Sequence, residues 1–274
     1  MSLFVIPFPM IDPVAFTIGP VSVRWYGLAY MFGLLFAWLY IRALVKNTQL
    51  WPGNPPIAPD KTDDLLLWTT FGVVIGGRLG NVLFYDPGYY FSNPLEIFAI
   101  WKGGMAFHGG VIGVILAVYL FARANKCSVL SIADLVCAAA PVGIFFGRIA
   151  NFINQEVVGR ATDVPWAMVF PVVDDVSRHP SQLYEAFLEG LLLFMLCRYF
   201  THWRKSLGSP GVVAGVFFAG YGLARIFAEN FRIYDPTHIF STGLTTAGMV
   251  YSLPMVLFGG YLLWRAREKR TATA

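Results

Sequence analysis

Charge is what this sequence has least of. Asp, Glu, Lys and Arg make up 13% of its 274 residues, against roughly 25% in an ordinary soluble domain, while 57% of the residues are hydrophobic. That balance excludes a soluble globular chain. Cysteine is almost absent, and Cys127, Cys137 and Cys197 show no metal-ligand spacing. They lie in or beside apolar segments and read as small buried hydrophobes. No metal and no cofactor are expected. The first 24 residues lack a positively charged start and contain Pro7, Pro9 and Pro13, which is not the pattern of a cleavable signal peptide. Also missing are a Gly-x-Ser-x-Gly elbow, a His-Glu-x-x-His motif, paired intramembrane aspartates and a phosphate-binding glycine loop. Their absence argues against the common hydrolases, proteases and nucleotide enzymes. There is no obvious inverted repeat of broken helices, the usual mark of a secondary transporter.

What is present is a series of apolar runs of about 17–25 residues, each long enough to cross about 30 Å of hydrocarbon. The runs predict an all-α, polytopic integral membrane protein, one transmembrane domain over residues 1–274 with about seven spans. These fall near 25–45, 65–85, a third following Gly103–Gly110 and ending near Arg123, then 132–152, 183–200, 211–231 and 246–264. Residues 1–24 read as an ordered arm at the outer surface. Residues 94–101 read as a short interfacial helix, and 157–181, the longest polar insertion, as a small extramembrane element. With the N-terminus outside and the C-terminus in the cytoplasm, twelve Lys and Arg fall in the inner loops against five in the outer ones, the bias expected of cytoplasmic loops. The formal charge of +4 then reflects topology, and the partner it implies is the lipid bilayer, not nucleic acid.

Three arginines, Arg78, Arg148 and Arg225, lie at membrane depth. Each costs roughly 2.5–3.5 kcal/mol on an insertion scale, so a reason for them is needed. In this orientation the polar clusters converge on the outer half of the membrane and plausibly line one outward-facing polar cavity. The densest is Gly147 to Arg160. If the fourth helix continues through it, Arg148, Asn151 and Gln155 share a face. Tyr221, Arg225, Glu229 and Arg232 share another at the end of the sixth span. An arginine fork matches a phosphate bidentately, and a bilayer offers phosphodiester headgroups at that depth. The hypothesis is a site that grips a phospholipid headgroup between arginines on different helices. The bland alternative pairs Arg225 with Glu229, one turn on, and neutralises Arg148 and Arg78 with Glu156, Glu185 or Glu189. His108, at the head of the third span among glycines, carries an imidazole, a side chain suited to taking a proton from a thiol or hydroxyl nucleophile. It could equally be an amphipathic anchor. His179 reads as structural, and His202 and His238 as solvated loop residues. Tyr26, at the outer interface, carries a hydroxyl that needs a partner.

The motifs Trp25-Tyr26-Gly27-Leu28, Gly76-Gly77-Arg78, Gly104-Met105-Ala106-Phe107-His108-Gly109-Gly110, Gly147-Arg148-Ile149-Ala150-Asn151-Phe152-Ile153-Asn154, Gly159-Arg160, Arg178-His179-Pro180-Ser181-Gln182-Leu183-Tyr184-Glu185 and Tyr221-Gly222-Leu223-Ala224-Arg225 span most of the chain. As a set they resemble the prolipoprotein diacylglyceryl transferases of the bacterial cytoplasmic (inner) membrane. The resemblance implies transfer of the diacylglyceryl group of phosphatidylglycerol to the lipobox cysteine thiol of a prolipoprotein. A thioether forms and glycerol phosphate is released, the first step of lipoprotein maturation. It further implies that Arg148 and Arg225 hold and polarise the lipid phosphate, and that His108 and Tyr221 matter for activity. Tyr26, Arg78, Asn151, Asn154, Glu156, Gly159, Glu229 and Arg232 are expected to bind substrate or hold those arginines. Where the family signature often reads Asn-Gly-Glu, this chain has Asn154-Gln155-Glu156, a less permissive backbone; and Arg24 stands where some members have histidine. Other readings of the same residues are a transporter moving an organic anion past Arg148 and Arg225, or another phospholipid-dependent transferase.

Overall fold

The computed structural model describes residues 6–233, 240 and 245–272; His238 lies outside them. Six helices are long and apolar enough to cross a bilayer: α1 (Trp25–Lys46), α2 (Lys61–Phe84), α4 (Phe107–Ala124), α5 (Val129–Ile153), α8 (Val212–Ala228, carried on by a 3-10 turn to Phe231) and α9 (Ala247–Ala272). A short helix, α3 (Pro87–Ser92), and two 3-10 turns, Pro94–Phe98 and Ile100–Lys102, occupy the segment between α2 and α4. The stretch expected as a fifth span is helical from Ser181 to Trp203, but not uniformly so. It runs as α6 (Ser181–Glu185), a π-helical stretch (Ala186–Leu192), α7 (Leu193–Arg198) and a second π turn (Tyr199–Trp203). Helices widened in this way often carry functional side chains.

The chain forms two compact units, one of residues 42–133 and one of residues 1–41 with 134–274. In the first, α2 and α4 meet along a seam of glycines. A Cβ added at Gly76 would stand 2.8 Å from the Gly113 Cα, and one at Gly80 2.8 Å from the Gly109 Cα. Small residues on both helices allow their backbones this close an approach, which replaces the hydrophobic drive that lipid cannot supply.

The second unit combines the helices α8 and α9 with a small strand-built element. Strand β1 (Ile6–Pro7) pairs in parallel with β4 (Met168–Val169), which pairs antiparallel with β5 (Ser177–Arg178). A hairpin of β2 (Val14–Ile18) and β3 (Val21–Arg24) leads straight into α1. Phe8, Phe152, Val158 and Phe170 form a buried cluster that fastens the N-terminal arm and the 157–181 insertion to the end of α5. The arm and the insertion are therefore one piece of structure, a pairing no local pattern predicted.

Helix α5 does not continue to Gln155. It stops at Ile153, where the Gln155 N–H donates to the Phe152 carbonyl (3.0 Å) and the Glu156 N–H to the Asn151 carbonyl (2.9 Å). Gln155 holds the left-handed φ of 56°. This is a Schellman ending, in which glycine is the usual residue at the position Gln155 occupies. The side chain is retained for a contact: Gln155 Oε1 accepts the Val172 N–H at 3.1 Å. The expected common face of Arg148, Asn151 and Gln155 thus holds for the first two only.

Candidate functional site

Arg148 comes from α5, Glu185 and Glu189 from the 181–192 helical stretch, Arg225 from α8, and Glu229 and Arg232 from the turn that ends it. These elements lie within one unit and bring three arginines onto three glutamates. Arg148 reaches Glu185 Oε2 at 2.8 Å and holds Glu189 Oε2 through both Nη2 (2.9 Å) and Nε (3.2 Å). Arg225 donates to Glu185 Oε1 at 3.2 Å and to Glu229, with Glu189 Oε1 at 3.7 Å. Arg232 donates to Glu185 Oε1 at 2.6 Å and lies 3.3 Å from Glu229 Oε1. Glu185 therefore touches all three guanidiniums. Thr246 closes the far side of Glu229 with a hydroxyl at 2.8 Å.

Formally the network is neutral, three cations against three anions, which removes most of the cost of placing charge at membrane depth. It is not symmetric in exposure. The side chains of Glu185 and Glu189 are 0% exposed, whereas those of Arg148, Arg225 and Arg232 are 19%, 15% and 17% exposed. The carboxylates are the deeper partners and the arginine side chains the more exposed ones. Each guanidinium carries five N–H donors, more than these carboxylate contacts engage. Of the pairings that would make the arginines idle, Arg225 with Glu229 and Arg148 with Glu185 and Glu189 are present. Each arginine side chain nevertheless stays partly exposed and keeps donors that these contacts do not engage.

Around this network lie further predicted residues. Tyr221, one turn before Arg225, stacks on Phe217 (6.0 Å) and stands in the electrostatic field of Glu189, Arg148 and Arg225. Asn151, one turn after Arg148, donates from Nδ2 to the Tyr26 hydroxyl (3.2 Å) and to Glu156 Oε2 (3.3 Å). That supplies the partner the Tyr26 hydroxyl needed. Asn154 spends its amide on the Ala150 carbonyl at 2.9 Å, a cap on α5. Val157 follows with φ 57°, a left-handed conformation rare for a β-branched residue. The turn is held by Gln182, whose amide donates to the Glu156 carbonyl (2.7 Å), and by the Ser181 hydroxyl on the Val157 carbonyl (3.0 Å). Gly159 is wedged where its N–H meets the His179 carbonyl at 3.0 Å, and a Cβ would press on both that carbonyl and the Phe231 carbonyl. Together with the Arg160 N–H on the Phe231 carbonyl (2.9 Å), it ties the insertion to the backbone beside Arg232.

In the insertion, Arg178 holds Asp174 through two hydrogen bonds, one of 3.0 Å, and reaches the Gly159 carbonyl. That hydrogen bond and charge hold the Asp174 carboxyl below the usual carboxylate range. Burial, with Arg160 nearby, lowers the His179 imidazole. Its Nδ1 lies 3.1 Å from the Tyr184 hydroxyl and its ring packs on Phe231 (5.2 Å), so it fits the structural role read for it.

Arg78 and His108 belong to the other unit. His108 stands in the first turn of α4, exposed, with its ring 5.6 Å from Phe107. Arg78, on α2, is only 5% exposed and gives its donors to backbone carbonyls. Sequence reasoning missed Glu185 and Glu189 as the centre of the arginine network, naming them only as possible neutralising partners. The signal was two carboxylates one turn apart inside an apolar helix, which demands buried cations opposite. It also missed Gln182 and Ser181 as the supports of the Glu156 turn. Among the described residues no group of three or more His, Cys, Asp or Glu is arranged to hold a metal ion.

A family model described as prolipoprotein diacylglyceryl transferase matches residues 13–265 of the chain. Among similar curated proteins, the phosphatidylglycerol–prolipoprotein diacylglyceryl transferase of Rhizobium meliloti (strain 1021) is 50% identical over 272 residues, covering 98% of this chain and 97% of the relative. The protein of the same name from Sinorhizobium medicae (strain WSM419) is 51% identical over 272 residues, with the same coverage. That of Brucella canis is 51% identical over 270 residues, 97% of this chain and 96% of the relative.

Proposed function

This chain belongs to the prolipoprotein diacylglyceryl transferase family, and from that premise we propose how its residues carry the reaction. It is a multi-pass membrane transferase that moves a diacylglyceryl group from phosphatidylglycerol to a prolipoprotein. In our reading the acceptor is the thiol of a lipobox cysteine. Its sulfur attacks the glycerol carbon that bears the phosphodiester; the S–C bond forms, the C–O bond breaks, and the bond's electron pair leaves with glycerol phosphate. The protein sits in the bacterial cytoplasmic membrane with the N-terminus outside and the C-terminus inside. The helical run of residues 181–203 is also a span, the fifth in chain order, which brings the total to seven, and Arg148, Arg225 and Arg232 line an outward-facing polar cavity. The arm (1–24) and the insertion (157–181) lie on the periplasmic side of the single transmembrane domain.

One observation carries this proposal: three arginines backed by the fully buried carboxylates of Glu185 and Glu189, their own side chains still partly exposed and with donors those contacts do not engage. Because the network is neutral, a phosphodiester is held by directed N–H donors and not by excess charge. As the C–O bond breaks, a second negative charge develops on the departing phosphate. Donors fixed in advance by Glu185, Glu189 and Glu229 stabilise that charge without having to reorganise, which is the largest single contribution a site of this kind can make. Arg148 and Arg225 are the proposed phosphate ligands, with Arg232 beside them and Tyr221 on α8, one turn before Arg225. Asn151, Tyr26, Asn154 and Glu156 hold the geometry or meet the substrate glycerol, and Gly159 keeps the insertion in register. A thiol with pKa near 8.5 needs only partial help to ionise; His108 enters as the proposed base for its proton.

The deciding experiment supplies labelled phosphatidylglycerol and a lipobox peptide to the purified protein. The expected product is a peptide carrying diacylglycerol in thioether linkage. An unmodified peptide with intact lipid points to anion transport, and consumed lipid with a free thiol points to hydrolysis. In the same assay His108→Gln should slow transfer by about 10²–10⁴-fold, the range general-base groups supply. A wild-type rate across the pH range removes His108 from that role.

A further inference from the structure

The guanidinium of Arg78 is saturated. It has five N–H donors, and the structure provides five backbone carbonyls. Nε donates to Ile97 at 2.8 Å, Nη1 to Gly103 at 2.6 Å and Gly104 at 3.2 Å, and Nη2 to Glu96 and to Ala99 at 3.3 Å. The Tyr90 ring lies 4.9 Å from its central carbon, a further favourable contact for a buried cation. An arginine placed to receive a lipid phosphate keeps donors open, as those of the glutamate network do. Arg78 keeps none.

All five acceptors lie in residues 96–104, the turn that precedes α4. That turn contains Gly103 and Gly104 at φ 86° and 75°, a pair whose backbone has wide freedom unless something fixes it. Arg78 grips both of their carbonyls. Gly104 has no room for a side chain, since a Cβ would stand 2.8 Å from Arg78 Nη1 and 2.8 Å from Asn81 Nδ2. Asn81 in turn donates to the Tyr90 hydroxyl at 3.2 Å. Beside Arg78, the Gly77 carbonyl accepts the Ala106 N–H at 2.8 Å. Between them, Gly77 and Arg78 hold the chain from residue 96 to residue 106, and His108 follows two residues later.

We propose that Arg78 is a positioning residue: it sets the 96–106 turn, and so the start of α4 and the place of His108, without touching the lipid phosphate. This rests on the reading of His108 as the base. A group that must receive a proton in flight tolerates little displacement, and an error of about 1 Å can cost on the order of 10²-fold in rate.

The test measures kcat and KM for phosphatidylglycerol, with a lipobox peptide as acceptor, in Arg78→Lys, Arg78→Gln and Tyr90→Leu. The expected result for both Arg78 variants is a fall in kcat on the order of 10²-fold with KM within about two-fold of wild type. Lysine gives no rescue, since one ammonium with three donors cannot serve five carbonyls. Tyr90→Leu leaves all five donors in place and should lower kcat by a few fold, again at unchanged KM; it gives the answer if the Arg78 variants do not fold. A tenfold rise in KM with kcat kept and partial rescue by lysine would make Arg78 a phosphate ligand and overturn the proposal. So would fewer folded molecules, each with wild-type kcat, which would leave only a stability role. A double variant separates the proposal from its premise. Wild-type transfer in His108→Gln sinks the base reading by itself. If His108→Gln is impaired, adding Arg78→Gln should cost nothing further, and a second full-sized loss sinks the coupling alone.

Discussion

The cluster of Arg148, Arg225 and Arg232 and the single Arg78 solve one problem in opposite ways. Arg148, Arg225 and Arg232 are compensated by three glutamates, two of them fully buried, while the arginine side chains stay partly exposed with donors those contacts do not engage. Arg78 is compensated by five carbonyl dipoles and an aromatic face, with its donors used up. Both arrangements make a cation tolerable at membrane depth. Only the first leaves donors for a ligand. Charge at depth therefore does not by itself mark a binding residue; what marks it is the unspent donors of the guanidinium.

The heaviest blow to this contrast is Glu185→Gln. Glu185 is fully buried and touches Arg148, Arg225 and Arg232, so its loss leaves an uncompensated cation. Breaking a buried pair from one side costs about 3–5 kcal/mol. Transfer activity should vanish and the thermal unfolding midpoint in detergent should fall by many degrees. An unchanged midpoint would show that the carboxylates are not what makes the cluster affordable.

Next in size is Arg148→Lys, which keeps the charge and loses the fork. If the unspent donors of the guanidinium bind phosphate bidentately, kcat/KM should drop on the order of 10²–10³-fold. Near-normal activity would mean that charge alone suffices there and that the cluster and Arg78 differ less than their geometry suggests.

The smallest effect extends the comparison to solvent. The Arg178–Asp174 pair lies in the insertion, and its contribution follows pH. The native Asp174 carboxyl is held below its ordinary range by Arg178, so the stabilisation is complete above the unfolded value of about 3.9. It is lost as pH falls through that value toward the native one. Protease cleavage within residues 157–181, followed from pH 6 to pH 3, should accelerate at the acid end, modestly because the pair is near the surface. Asp174→Asn should remove that acceleration; an identical pH profile in the variant assigns it to other groups.

How far each of these features was legible before folding depends on its range in sequence. Hydropathy is local, so the spans were readable: Trp25 begins α1 as expected, and the predicted 132–152 became Val129–Ile153. The end of α5 was half readable. The unusual Gln155 drew notice because it replaces a glycine, but its side chain in the left-handed turn accepts a hydrogen bond from the Val172 N–H, 17 residues on. The pairing of the Ile6–Pro7 strand with Met168–Val169 has no local signature at all.

By itself, then, the sequence determined a polytopic helical chain, the membership of a family and the roster of polar residues at membrane depth, because hydrophobic length and ordered motifs are properties of short stretches. The tertiary structure alone decided what those polar residues do for one another. Glu185 and Glu189 lie about 40 positions from Arg148 and Arg225, and Arg78 meets carbonyls 18 to 26 positions away. Partners at such separations are chosen by which backbones pack side by side, and no periodicity within one helix encodes that choice.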